Sequence, residues 1–534
     1  MKRAISLALV LLFIGGGLLF AGGGTQQDGA TISTPPGQYP VNAGDAVLKY
    51  WLNLHGNISP NYTNFGETPL GQELTRRTGI RVEYEHPTTG TVAEAFNLLV
   101  ASGFDMPDII EYNWLTVPGG PERFIGDNVI IALNDVVERF APNLRNLLRD
   151  RPDFNRMVRT DEGNLYVFPF IRGHEDLLYS QGMMVRKDIL ERLNIAEPET
   201  MDDWYRMLVA FRNDGAQAPF SMPWSNRGRM FMPGFGFLNE FYMDHQTNQI
   251  RYGNIHPNYR QWVETMARWY REGLIDADLM TITGAQHNQK MITGGAYATV
   301  GSLGGGLGVW TAAARVDNPT YELVALQYPV LNRGETLVYT IPNQPYNGAD
   351  SAAITVASRN AELAARFLDW GYTTQGNLNF NFGVEGTSYT MVSNFPTFTP
   401  WVMQGAGQGW PVAQALGAHV RSTAGGPFVQ DQRYIRQFYE LPEQYQGLRN
   451  YVLPGAINYF RPPITATPNE SQELATIMQA INTYVAERTS RWILGTEVLN
   501  DASWNNYITT VNSMGIARAI ELENAALRRY MARQ

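Results

Sequence analysis

The seven histidines, His55, His86, His174, His245, His256, His287 and His419, are scattered, and no two of them form an HExxH pair. A catalytic zinc motif is therefore absent. The chain has no Cys, which excludes thiol nucleophiles, disulfides and thiolate metal sites. No G-x-S-x-G elbow presents a serine nucleophile. The glycine-rich stretch GSLGGGLGVW, residues 301–310, lacks the GK[ST] of a phosphate-binding loop and the spacing of a dinucleotide fingerprint. It reads equally as a tight strand-to-helix connection and as an amide-lined loop at a ligand cleft, ending in an exposed Trp310.

Carboxylates are plentiful: Asp105, Asp108 and Glu111, then Glu175 and Asp176, then Glu385. A glycosidase needs two carboxyls about 5–9.5 Å apart across a sugar ring. Chain order selects no such pair, and Asp108, just after Pro107 at a strand start, suits a structural hydrogen bond. Beside hydrolysis, the composition admits recognition. Aromatics make up 12% of the chain and charged residues only 17%. Tyr and Trp faces among neutral polar groups suit ligands with CH faces and hydroxyls, such as sugars, although most aromatics fill cores. The net charge is −9, with no basic block to neutralise phosphates, so nucleic acid is excluded as a partner.

The N-terminus carries Lys2 and Arg3, then an apolar run from Ala4 to Phe20 broken by Gly15, Gly16 and Gly17. Small residues follow, so 1–23 reads as a cleaved secretory signal peptide and 24–44, rich in Pro and Gly, as a flexible spacer. With no Cys to carry a lipid, the expected product is free in the periplasm. At 534 residues the chain is long enough for two or three domains.

Residues 47–54 read as a buried strand. A helix begins near Pro69 and stops at Gly79, and 80–85 is the next strand. A second helix closes at Gly103, and 107–112 is a third strand. This alternation predicts a parallel α/β sheet with ligand beyond the carboxyl ends of its strands. Further on, Thr200 and Asp203 form a capping-box pattern, and Trp204, Leu208 and Phe211 share one face. Tyr259, Trp262, Met266 and Trp269 make another helical stripe. Thr467, Pro468 and Glu470 open a long C-terminal helix. Residues 375–465 show little period and read as ordered loops with short elements.

The ordered segments ETPLGQELTRRTGIRVEYE, ASGFDMPDIIEYNW, NVIIALNDVVERFAPNLRNLL, WYREGLIDADL and ITGGAYATVGS resemble the extracellular solute-binding proteins of ABC sugar importers. The likeness is to family 1 and its large oligosaccharide and aldouronate-type members, and it covers nearly all of residues 45–530. It implies a two-lobed α/β periplasmic-binding-protein fold of the maltose-binding type (type II), with ligand between the lobes. Hinge crossings are expected near 168–173, near 346–353 and after Tyr389. Lobe one is then 45–170 plus 350–395, and lobe two 171–349 plus 396–534.

The resemblance places ligand contacts at the cleft edges. After the first strand come His55 and Asn57. At the end of IIEYNW come Tyr112, Asn113 and Trp114, with Tyr112 matching an aromatic that stacks on sugar in maltose-type proteins. Arg172, His174 and Glu175 follow the first hinge strand, Trp224 and Arg227 lie in a turn of the second lobe, and Trp310 ends the glycine loop. Arg172 and Arg227, if both line the cleft, favour an acidic sugar. The implied function is binding without chemistry. The protein is read as a monomer that takes up an oligosaccharide by lobe closure, without cofactor or metal, and hands it to an ABC permease of the inner membrane. The alternatives are a secreted carbohydrate-active enzyme, a binding protein feeding a sensor, and a peptide binder.

Overall fold

The computed structural model describes residues 32–88 and 90–533. The expected signal peptide, 1–23, and the first part of the expected spacer lie outside the described residues. In chain order the strands are β1 (Val47–Trp51), β2 (Arg81–Glu85), β3 (Ile109–Glu111), β4 (Phe168–Arg172), β5 (Gln181–Arg186), β6 (Ala218–Phe220), β7 (Phe241–Met243), β8 (Ile250–Tyr252), β9 (Ala296–Ser302), β10 (Leu323–Leu326), β11 (Tyr346–Ile354), β12 (Tyr389–Val392), β13 (Phe395–Phe398) and β14 (Val429–Gln430).

The first lobe grows from the predicted β-α-β-α-β run. Thr68 caps the helix Pro69–Thr78 by accepting from Gly71 N, and Gly79 ends it in the left-handed region at φ 73°. The chain re-enters as β2, parallel to β1, with Val47 opposite Arg81. After the helix Val92–Ser102, β3 lies parallel on the other side of β1, with Tyr50 opposite Ile109. The complete six-stranded sheet has the order β14-β4-β11-β3-β1-β2. Leu48, Ile109, Phe168, Ile354 and Leu363 lie in its core.

The second lobe is built on a four-stranded sheet of order β10-β5-β9-β6. Its core takes Val185, Phe220, Trp204 and Trp262 and, from the C-terminal helices, Trp492 and Tyr507. The capping boxes at Thr200 and Thr467 form as their sequences predict. The helix Tyr259–Arg271 is tied to the C-terminal helix Pro468–Leu494 by a 2.6 Å bond between the Tyr259 and Thr489 hydroxyls. Among the described residues no helix is long and apolar enough to cross a membrane.

The chain passes from the six-stranded to the four-stranded sheet between β4 and β5, and returns between β10 and β11. From Tyr389 on, β12 and β13 pair only with each other, and the chain rejoins the first sheet where Val429 and Gln430 join β4 in parallel, opposite Ile171 and Arg172, so no strand after Tyr389 enters the four-stranded sheet. The last helix, Ile516–Ala532, bridges the lobes at its end. There Arg529 and Arg533 both bond to Asp161, and Arg529 also bonds to Glu470.

Two expectations change. Residues 32–44, read as a flexible spacer, pack against the first lobe. Val41 is buried and its N–H donates to Thr78 O at 2.7 Å, while Tyr39 Oη donates to Arg366 O at 2.7 Å. Residues 375–465 carry more helix than expected, including Thr374–Phe382, Val412–His419, Gln432–Phe438 and Pro442–Tyr451. The first of these buries Asn379 and Asn381 beside Phe380 and Phe382, so apolar residues do not mark one face.

Candidate functional site

β4 and β5, consecutive in sequence but in different sheets, run to a cavity of about 260 Å³ between the lobes. From β4 come Phe170 and Arg172, and from β11 comes Asp350. The second lobe supplies Ser180 and Gln181 at the start of β5, and Ser302, Gly304 and Gly305 at the end of β9. The loop 422–425 and the helix Gln432–Phe438 close the remaining sides.

The polar wall is held in place from behind. Arg172 donates from Nη1 to Gln344 O at 2.8 Å, and its guanidinium lies 5.3 Å from the Phe170 ring centre. Burial lowers the pKa of Arg172, and nearby Asp350 opposes that shift. Asn343 donates from Nδ2 to Ser180 Oγ at 2.9 Å and to Leu177 O at 3.2 Å, which fixes the hydroxyl. Gln430 donates from Nε2 to Ser422 O at 2.6 Å and to Tyr434 Oη at 3.2 Å. Burial pushes the Tyr434 phenol up to about 12, with Arg172 pulling the other way, so it is a neutral hydroxyl at physiological pH.

The aromatic wall is Tyr434, Phe438 and Tyr439, with Phe438 half-buried. Gly304 allows Phe438 its position, since a Cβ on Gly304 would stand 2.5 Å from the ring. Behind the loop 422–425, Arg421 forms a two-pronged ion pair with Glu111 at 2.6 and 3.0 Å. Tyr50 Oη donates to the same carboxylate at 2.7 Å. Burial works against the Arg421 charge, and the Glu111 carboxylate outweighs it and keeps the guanidinium ionised.

Of the residues selected from the sequence, Arg172 stands in this wall. His174 and Glu175 follow it on exposed backbone at the passage between lobes, where His174 Nδ1 accepts from Asp176 N at 3.1 Å. His55 Nδ1 accepts from Asn57 N at 3.1 Å, and burial, aided by Arg421, lowers the His55 pKa. Asn57 packs on Gly417. Tyr112 is half-buried and stacks on Phe96 at 3.8 Å within the first lobe. Asn113 Oδ1 accepts from Leu115 N at 3.3 Å. Trp224 is half-buried against the second core, with Arg227 5.5 Å from its ring centre. None of these lines the cavity.

Two tryptophans are corrections. Trp114 is fully buried, edge-on to Phe96 and Phe124 at 5.4 and 5.6 Å, because the chain turns inward after β3. Trp310 is also core. It donates from Nε1 to Asn288 Oδ1 at 3.0 Å and meets His287 edge-on at 5.4 Å. Gly301 and Gly306 admit its ring, since a Cβ on either would stand 2.8 or 3.2 Å from it. The glycine loop thus has both roles: Gly301 and Gly306 seat a tryptophan, while Gly304 and Gly305 face the cavity. Sequence reasoning missed Asp350, the STAGG segment at 422–426, Tyr434 and Phe438. The glycine pair in STAGG was the one local signal of close backbone approach.

The profile of the bacterial extracellular solute-binding proteins matches residues 59–378. A fructooligosaccharide ABC transporter substrate-binding protein, FusA of Streptococcus pneumoniae serotype 4, is 23% identical over 518 residues, 91% of each chain. Lipoprotein LipO of Bacillus subtilis is 21% identical over 345 residues, 61% of this chain and 64% of that one. Among solved structures, the alginate-binding protein AlgQ2 superposes with a TM-score of 0.73 at 22% identity, covering 90% of this chain and 97% of its own. The S. pneumoniae FusA complex with kestose also gives 0.73, at 19% identity, covering 92% of this chain and 100% of its own.

Proposed function

Because the chain belongs to the family of bacterial extracellular solute-binding proteins, we propose that it is the substrate-binding component of an ABC importer and takes an oligosaccharide into the cavity between its lobes. The observation that carries this reading is the wall itself: the ends of two sheets meet there, with an aromatic side and an amide and hydroxyl side. Phe438 and Tyr434 offer faces to sugar CH groups, while Arg172, Ser180 and Gln430 offer hydrogen bonds to hydroxyls. Such a site binds more tightly when both lobes touch the ligand, so binding favours closure.

The moving bodies in this reading are 45–170 with 350–430 on one side, where Gln414 and Arg421 bond to Asn61 and Glu111, and 171–349 with the helices after Gln430 on the other. The closed monomer is the form presented to an inner-membrane permease. In this reading 1–23 directs export and is then removed, and a chain with no Cys offers no thiol for a lipid, which supports a freely diffusing periplasmic protein.

The test is a thermal-shift screen of the mature chain against oligosaccharides and peptides. A ligand at 100 times its Kd adds about 2.7 kcal/mol of apparent stability. Oligosaccharide hits that vanish in Arg172→Ala support the proposal. New reducing ends on incubation, lost when a cleft carboxylate is substituted, would overturn binding in favour of hydrolysis.

A further inference from the structure

The sequence alone left the charge of the ligand to Arg172 and Arg227, and their positions now separate. Arg227 lies over Trp224, outside the cavity wall. Among the residues that line the cavity, the charged ones are Arg172 and Asp350, one of each sign. We infer that the sugar unit seated in this cavity is uncharged, because the one arginine that could meet a ligand carboxylate is already balanced by Asp350 in the same wall. This rests on the oligosaccharide reading above.

Each charged group is held in place by its own neighbours. Arg172 is held by its bond to Gln344 O and by Phe170 beneath it. Asp350 is wedged by the loop: Gly425 has φ 89°, and a Cβ there would come 2.4 Å from the Asp350 carboxylate. The arginines around the cavity are engaged as well. Arg421 pairs with Glu111, Arg433 with Asp431 at 2.9 Å, and Arg436 with Asp176 at 3.1 Å. Arg229 reaches the cavity only through its bond to Gln181 Oε1.

A uronate in the cavity would set a second carboxylate beside half-buried Asp350, with Arg172 as the one cation of the wall, and two carboxylates sharing one cation repel. A net charge of −9 adds a repulsive field for anions. The neutral groups fit an uncharged ring instead. Hydroxyls donate and accept, and Ser180, Ser302 and Thr423 do the same, while Gln430, whose two amide hydrogens are taken, offers its Oε1 as an acceptor.

The experiment is calorimetric titration of the mature chain with matched pairs: neutral oligosaccharides, including kestose and xylo- and cello-oligosaccharides, beside uronate-bearing oligosaccharides of equal length. The expected result is a neutral ligand that binds on the order of 100-fold more tightly than its carboxylated partner. A uronate that binds as tightly or more tightly overturns the inference and leaves the oligosaccharide reading standing. Binding by no member of the panel overturns the oligosaccharide reading, and this inference with it. Asp350→Asn should narrow the ratio at least tenfold by freeing Arg172 for the acid, and Arg172→Gln should widen it. If both variants melt cooperatively and keep the wild-type ratio, the charge balance does not set the preference.

Discussion

Glu111→Gln is the sharpest probe of how the cavity-lining loop is held. The substitution keeps the side chain's shape and removes its charge. Arg421 is 5% exposed and Glu111 7%, so water cannot take the carboxylate's place. The two Arg421 bonds, at 2.6 and 3.0 Å, would face an amide that can offer one oxygen, and Tyr50 Oη would compete for it. Removing one partner of a buried pair costs about 3–5 kcal/mol. In a lobe of about 200 residues each kcal/mol lowers Tm by about 2–4 °C, so the first melting transition should fall by about 6–20 °C. Added salt should barely change that difference, because buried pairs are poorly screened. Replacing both partners, as Glu111→Leu with Arg421→Met, should recover much of the loss, since no charge then stays buried. Sugar affinity should fall in Glu111→Gln even below its melting point, because Ser422 to Gly425 begin at Arg421. The assay is scanning calorimetry of the three proteins with and without ligand. A drop of under about 2 °C in the single variant, or a double variant as unstable as the single, would refute this account.

Trp310→Ala should cost about 3–5 kcal/mol, read as a fall in Tm, because it empties the space between Gly301, Gly306 and His287. Sugar affinity of the folded variant should change far less, since the ring does not face the cavity. Asp161→Asn should raise amide exchange in the helix Ile516–Ala532 and cost about 3 kcal/mol, because Arg529 and Arg533 both lose their shared anion. Burial raises the Asp369 carboxyl to about 6, against the bonds it accepts from Asn143 and Leu144. Its folded pKa exceeds its unfolded one, so its contribution is fully present below about pH 4 and is lost as pH rises through about 6. The Tm of wild type relative to Asp369→Asn should therefore fall across that window, and a constant difference would refute the shift.

Local elements were legible because their causes are local. Thr68, Pro69 and Gly79 bound one helix, and Thr467, Pro468 and Glu470 start another, through bonds made within a few residues. The alternation over residues 47–112 gave the parallel pairing of β1 with β2 and β3. Side-chain direction was less legible. Trp114 and Trp310 follow strand ends as binding residues do, yet both turn into cores. Burial depends on what packs above a residue, and the partners come from elsewhere: Phe96 and Phe124 for one, His287 and Asn288 for the other.

The sequence by itself determined the lack of any Cys thiol, the α/β alternation and, through its ordered motifs, the likeness to solute-binding proteins. Arg172 was found because the resemblance places ligand contacts just after the first crossing strand. Only the tertiary structure decided what Arg172 faces. Asp350 stands 178 positions later and Tyr434 a further 84, and the loop 422–425 owes its place to Glu111. These groups meet because β4, β11 and β14 are neighbours in one sheet, with an order that departs from chain order. The cavity's charge balance belongs to that sheet order, since it is set by distances across strands that no local pattern of residues encodes.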